Sequence, residues 1–177
     1  HTDIVVDRKG QKFILLTMGD AFFRLALSEK DRLRIRSSQV FFTDLLPGPA
    51  AGEGLLEAKR GGAAVAAGME VDLATMKALG VSRSQIEREI SGADVFAPCR
   101  AGLFQLTDRD DPAEAAAVIR KSFGGILLLT RGDQGSQAYL PEGTCISVPA
   151  FPVDAVDTTG AGDSYMGAFI HAFLVRH

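Results

Sequence analysis

Cysteine is scarce in this chain: Cys99 and Cys145 are the only two among 177 residues. They lack the close spacing of a zinc or redox pair, and two cysteines in a chain this long make no disulfide framework, so a reducing, intracellular setting is expected. Long apolar runs are missing too. Nothing approaches the ~18 consecutive apolar residues of a membrane helix, and no apolar run follows a basic start. A cytoplasmic protein without a membrane partner is the expectation. Charge of one sign is equally dispersed: 19 basic against 22 acidic residues leave a formal charge of -3 with no long run of either. That excludes an electrostatic footprint for nucleic acid or anionic lipid. His1, His171 and His177 are scattered, and His171 falls in an apolar helical stretch, where it packs rather than binds metal. Two nucleotide-binding patterns also fail. A dinucleotide-binding G-x-G-x-x-G would need glycine where Tyr165 stands, and there is no G-x-x-x-x-G-K-[ST].

What remains is the composition of one globular domain with a sizeable core, 46% hydrophobic and 23% charged. Its expected partners are small neutral or anionic molecules. The chain opens on His1 rather than Met, and its last apolar stretch, residues 165–175, stops with no capping glycine or following proline. A single domain over residues 1–177, incomplete at both ends, is therefore expected.

Two apolar runs, residues 4–6 and 13–16, flank Asp7-Arg-Lys-Gly10 and predict an N-terminal hairpin that could cover a site. Residues 28–36 are strongly charged and predict a solvated connection to a short strand at 39–42. Gly48-Pro49 then breaks the chain. Leu55, Leu56, Lys59, Ala63 and Ala67 fall near helical spacing, and residues 69–73 are expected as the next strand. Val81, Ile86 and Ile90 share one helical face behind a serine cap, and a strand follows at 93–97. Asp111-Pro112 opens an alanine-rich helix that ends at Gly124-Gly125. Ile126-Leu-Leu-Leu-Thr130 has the length and apolarity of a central parallel strand, and residues 137–140 and 145–148 form a second hairpin. Strand and helix alternate over 52–130, which argues for an open α/β sheet.

The chemistry is expected near the C-terminal end. Gly160-Ala161-Gly162 stands directly before an apolar helix, so its N–H groups crowd at a helix N-terminus, where the dipole and the unpaired donors favour an anion. Charge building on a transferring phosphoryl group could be stabilised there. Asp163 lies at the same helix start and is the candidate base for an attacking hydroxyl; in a loose transition state a carboxylate of ordinary basicity suffices. Alternatively, Asp163 caps the helix and the glycines make a tight turn.

The full string Asp157-Thr-Thr-Gly-Ala-Gly-Asp163, followed by a helix containing Gly167, resembles the D-T-x-G-A-G-D signature of the ribokinase-like (PfkB) carbohydrate kinase family. That resemblance implies an open, mostly parallel sheet flanked by helices, seen here as a partial domain, with Asp163 as catalytic base and the Gly160, Ala161 and Gly162 backbone as anion hole. It also implies ATP and Mg2+ as cofactors and a sugar-like or nucleoside acceptor. The family's T-x-G-x-x-G segment, which cradles the nucleotide phosphates, is matched by Thr130, Gly132 and Gly135, although such a turn can be only a turn. Relatives can hold a monovalent cation such as K+ near Asp157 and Thr159, residues that serve turn geometry equally well. One departure stands out. Where many relatives carry N-x-x-E for metal and phosphate handling, this chain has Cys99-Arg-Ala-Gly102, leaving Arg100 either to face phosphate or to lie in solvent. The rival is a non-catalytic nucleotide- or sugar-binding relative. A homodimer could form if the N-terminal hairpin pairs edge to edge with a second subunit.

Overall fold

A computed structural model describes residues 2–7 and 12–175. Two sheets are present. Strands β1 (Thr2–Val6) and β2 (Lys12–Leu16) pair antiparallel, Ile4 opposite Ile14, as the flanking apolar runs require. Their connecting residues 8–10, read above as the turn, lie outside the described residues.

A one-turn helix α1 (Asp20–Phe23) leads to α2 (Glu29–Arg36). The charged stretch 28–36, expected to be a solvated connection, is thus a helix, and its charges are the reason. Ser28 and Asp31 form a reciprocal capping box, with the Asp31 N–H donating to Ser28 Oγ at 3.3 Å and the Ser28 N–H to Asp31 Oδ2 at 2.9 Å. On its inner side, Arg32 bonds Glu53 at 2.6 Å and Arg36 bonds the buried Glu57, clamping α2 to the next helix. The Arg36 guanidinium holds the Glu57 carboxyl below the usual carboxylate range.

The main sheet has strand order β3-β4-β5-β6-β7-β8. Strands β3 (Val40–Thr43), β4 (Ala64–Met69), β5 (Val95–Pro98) and β6 (Ile126–Thr130) run parallel, while β7 (Ser136–Tyr139) and β8 (Cys145–Val148) add an antiparallel hairpin. Strand β4 corrects the expectation for residues 63–73. Ala63 and Ala67, assigned to a helix by their spacing, belong to the strand and its entry, and the strand ends at Met69 instead of beginning there. Small alanines carry little signal of period two, so the helix-compatible spacing misled. The helix in question, α3 (Gly48–Gly61), ends as its Gly61 passes against the main chain of Arg36, where a Cβ would collide.

Helices α3, α4 (Leu73–Ala78), α5 (Arg83–Ile90), α6 (Arg100–Thr107) and α7 (Pro112–Ile119) all contribute to one core with one face of the sheet. Alternation sorts the strands: Val65, Ala67, Met69, Phe96, Leu127 and Leu129 face these helices, whereas Ala66, Val95, Ile126 and Leu128 point the other way. On that second face lies α8 (Ala161–Phe169), which runs on as a π-helical segment through Val175. Among the described residues no helix is long and apolar enough to cross a membrane.

Candidate functional site at the carboxyl ends of the strands

The four parallel strands end side by side, and the residues immediately after them carry polar groups: Asp44 after β3, Glu70 after β4, Cys99 after β5 and Arg131 after β6. This edge is where open α/β sheets present ligand-binding groups. Helix α8 begins over the same edge. Gly160 is its N-cap at φ 76°, a left-handed conformation that costs glycine nothing, and the Ser164 N–H closes the first helical bond to the Gly160 carbonyl at 2.9 Å. The Ala161 N–H turns back to the Thr158 carbonyl at 3.2 Å. Gly162 and Asp163 follow in the first turn, where N–H groups have no partner within a helix. Asp163 is exposed.

Two cavities meet this helix start. The larger, about 340 Å3, has apolar walls from Leu25, Leu27, Phe41, Phe42 and Leu46, with Asp163, Glu70 and Asp44 at its rim. A smaller one of about 50 Å3 brings Gly162 together with Thr130, Glu70 and Cys99. Glu70 therefore belongs to both. Partial burial, then the negative charges of Asp163 and Asp44, raise its pKa above the ordinary glutamate value. Sequence reasoning missed Glu70 because residues 69–73 were read as strand interior, where the usable signal was the end of an alanine-rich run at Met69, and it gave no role to Asp44, which stands just beyond the strand expected at 39–42.

One wall of the larger cleft is strained. Leu45 has φ 66° with its side chain fully buried, its N–H held by Thr43 Oγ1 at 3.0 Å, while Asp44 Oδ1 accepts the Leu46 N–H at 3.1 Å. A bulky residue in that region costs on the order of 1–3 kcal/mol, a feature that concentrates at ligand sites.

The T-x-G-x-x-G turn divides its roles. Thr130 reaches the small cavity, and it also lines a third of about 310 Å3 together with Arg100, Arg131 and Gln134. Gly132 and Gly135 line none of these three cavities. Gly132 opens a short 3-10 turn, and Gly135, at φ 85°, passes so close to the Val148 carbonyl that a Cβ would collide. Asp157 Oδ1 accepts the Thr159 N–H at 2.8 Å, a local turn bond. Among the described residues no three His, Cys, Asp or Glu side chains gather to hold a metal ion.

The missing N-x-x-E has a packing counterpart. Cys99 caps α6, its sulfur accepting the Gly102 N–H at 3.3 Å. Burial raises the thiol pKa, so it stays protonated. At position 102 a Cβ would stand 2.1 Å from Met69 Cε and 3.2 Å from Cys99 Sγ. The space of a longer side chain is filled by Met69.

The chain belongs to the pfkB family of carbohydrate kinases, whose model matches residues 3–176. It is 35% identical over 95 residues to a nucleoside kinase of Methanothermobacter thermautotrophicus, an alignment covering 52% of this chain and 29% of that one. The fold matches Arabidopsis thaliana ribokinase, solved with ribose and ATP, at a TM-score of 0.79 and 21% identity, covering 98% of this chain and 56% of that one. It also matches a ribokinase II from E. coli solved with ATP and Mg2+, at 0.75 and 19%, covering 97% and 57%. At these identities the structural likeness establishes the fold; the chain spans little more than half the length of the two solved structures and its alignment 29% of the nucleoside kinase.

Proposed function

We propose that this pfkB-family chain carries the phosphoryl-transfer site of an ATP-dependent kinase acting on a hydroxyl of a sugar, sugar-like molecule or nucleoside. The observation that carries this reading is the placement of Asp163 at the N-terminal turn of α8, at the rim of an apolar-walled cleft, with Gly162 and Thr130 in the adjoining cavity. An acceptor in the cleft would present its hydroxyl to Asp163, which orients it and takes its proton as the bond to phosphorus forms. The Gly160, Ala161 and Gly162 backbone would meet the charge on the transferring phosphoryl group at this helix start, the Gly162 N–H facing it while the Ala161 N–H, bonded to the Thr158 carbonyl, holds the turn. Thr130 would position the phosphate chain, with Gly132 and Gly135 shaping its turn. Charge neutralisation of the phosphates is what Mg2+ supplies when bound, and Glu70 offers a hard oxygen donor that suits it. For K+, the Asp157 and Thr159 turn offers oxygen donors. The same reading places the protein in the cytoplasm and leaves the edges of β1 and β2 for a second subunit.

A relative that binds without turnover is the competing reading, motivated by Cys99 and Gly102 where N-x-x-E would stand. Expression from the complete reading frame, followed by transfer from Mg-ATP to a panel of sugars, sugar acids and nucleosides, separates the two. Transfer that disappears in Asp163→Asn supports the kinase. Binding of ATP with no phosphorylated acceptor, or undiminished transfer by Asp163→Asn, supports the binding protein.

A further inference from the structure

The polar groups in the first two cavities pose a charge problem. Their ionisable members are the carboxylates Asp44, Glu70 and Asp163, the protonated thiol of Cys99 and the phenol of Tyr165; neither cavity is lined by a lysine or arginine. A triphosphate chain brings several more negative charges to the same place. Gly102 offers no side chain toward it, and the Met69 terminal methyl lies in the space a Cβ there would take.

Positive charge is available one cavity away. Arg100, the first residue of α6, and Arg131, directly after β6, line the same 310 Å3 cavity, which Thr130 joins to the small cavity holding Gly162. Neither guanidinium is committed to a carboxylate among the described residues. By contrast, Arg32, Arg36, Arg83 and Arg109 each pair with an acid. Arg100 lies 5.1 Å over the Phe104 ring, which orients it without neutralising it, and Arg131 donates to Gln134 Oε1 at 2.8 Å. The one acid lining the cavity, Asp111, caps its own helix, its Oδ1 accepting the Ala113 and Glu114 N–H groups, so that the two arginines outnumber it. Tyr139 closes the floor as a neutral phenol, its pKa pushed up to about 12, chiefly by burial.

We infer that Arg100 and Arg131 form an anion subsite for the phosphate chain of the nucleotide, supplying by direct guanidinium contact charge compensation that the absent N-x-x-E cannot provide. Guanidinium groups bind phosphate oxygens in a planar, two-pronged geometry, and two of them on neighbouring strand ends can hold a chain that continues past Thr130 to the helix start. This inference rests on the kinase reading above for the identity of its ligand.

The test is calorimetric binding of ATP, ADP, AMP and inorganic phosphate to the protein expressed from its complete reading frame. It compares wild type with Arg100→Gln, Arg131→Gln and the double variant, and uses the exposed Arg34→Gln on α2 as a charge-matched control. Each cavity substitution is expected to weaken ATP and ADP roughly tenfold or more, as for a lost hydrogen bond to a charged group. AMP should change little, the salt dependence of ATP binding should flatten, and Arg34→Gln should bind as wild type does. Unchanged ATP affinity in an enzyme that still phosphorylates its acceptor overturns the subsite and leaves the kinase standing. Weakened binding of inorganic phosphate with ATP unaffected also overturns it, since the arginines then serve a separate anion. Loss of ATP affinity in a protein that phosphorylates nothing upholds the subsite and removes the kinase reading instead.

Discussion

Among the described residues the two faces of the main sheet are covered differently. Five helices press on one of them, and its fully buried members include Phe96, Met69, Leu103, Ile86, Ile90 and Phe123, with Phe96 and Phe123 meeting edge to face at 6.0 Å between ring centres. The other face is covered chiefly by α8, whose one buried residue, Met166, packs with Ala66, Val95, Ile126 and Leu128. The dense face determines whether the chain folds. The thin face, as far as the described residues cover it, carries the candidate base and anion hole on a helix whose Tyr165 and Phe169, with Ile170 and Leu174 beyond them, are partly buried against the sheet.

Substitutions can break that comparison. The largest effect belongs to the thin face: Asp163→Asn should lower the turnover rate by about two to four orders of magnitude, the usual worth of a positioned base, with an unchanged melting temperature. If stability falls along with rate, the carboxylate is a helix cap first. Next comes Phe96→Ala on the dense face, which should cost about 3–5 kcal/mol in chemical denaturation, through lost burial and the cavity left behind. Met166→Ala should cost about 2 kcal/mol, at the low end for such truncations, because its surroundings can collapse. Its loss of turnover should exceed what the unfolded fraction explains; a variant losing only stability would show that the two faces do not differ in function.

Glu89 offers the smallest and most specific check of the dense face. Its Oε1 accepts Gln85 Nε2 at 2.8 Å and lies 2.8 Å from where a Cβ on Gly52 would stand, while its Oε2 is buried without a partner. Burial raises its pKa, with the Gln85 bond and Arg88 opposing. A carboxyl whose folded pKa is raised destabilises the fold once ionised. Its penalty is absent below the ordinary glutamate value and grows as pH rises toward the folded pKa. Glu89→Gln should therefore stabilise the protein by about 1 kcal/mol at neutral pH and flatten that part of the stability profile.

Legibility differed along the chain for identifiable reasons. Residues 126–130, 136–139 and 145–148 were readable because leucine-rich and alternating runs between glycine or proline turns leave little choice of element. Helix α7 announced itself through Asp111 and Pro112. Helix α2 did not, because a segment with only Leu33 and Ile35 apolar gains its place from ion pairs with α3, partners that lie 21 residues further along. Strand β4 was misplaced because alanine and glycine suit either period. That slip hid Glu70, whose meaning depends on its standing at a strand end.

The sequence by itself determined the identity of the site-bearing segment. D-T-T-G-A-G-D before an apolar helix encodes a helix start with unpaired donors and a carboxylate in its first turn, and these are local properties of consecutive residues. Only the tertiary structure decided what that segment faces: Glu70 and Asp44 across the cleft, Met69 in the space beside Gly102, and Arg100 with Arg131 on one cavity. These groups are separated by tens of residues along the chain and become neighbours because parallel strands must place their carboxyl ends along a single edge.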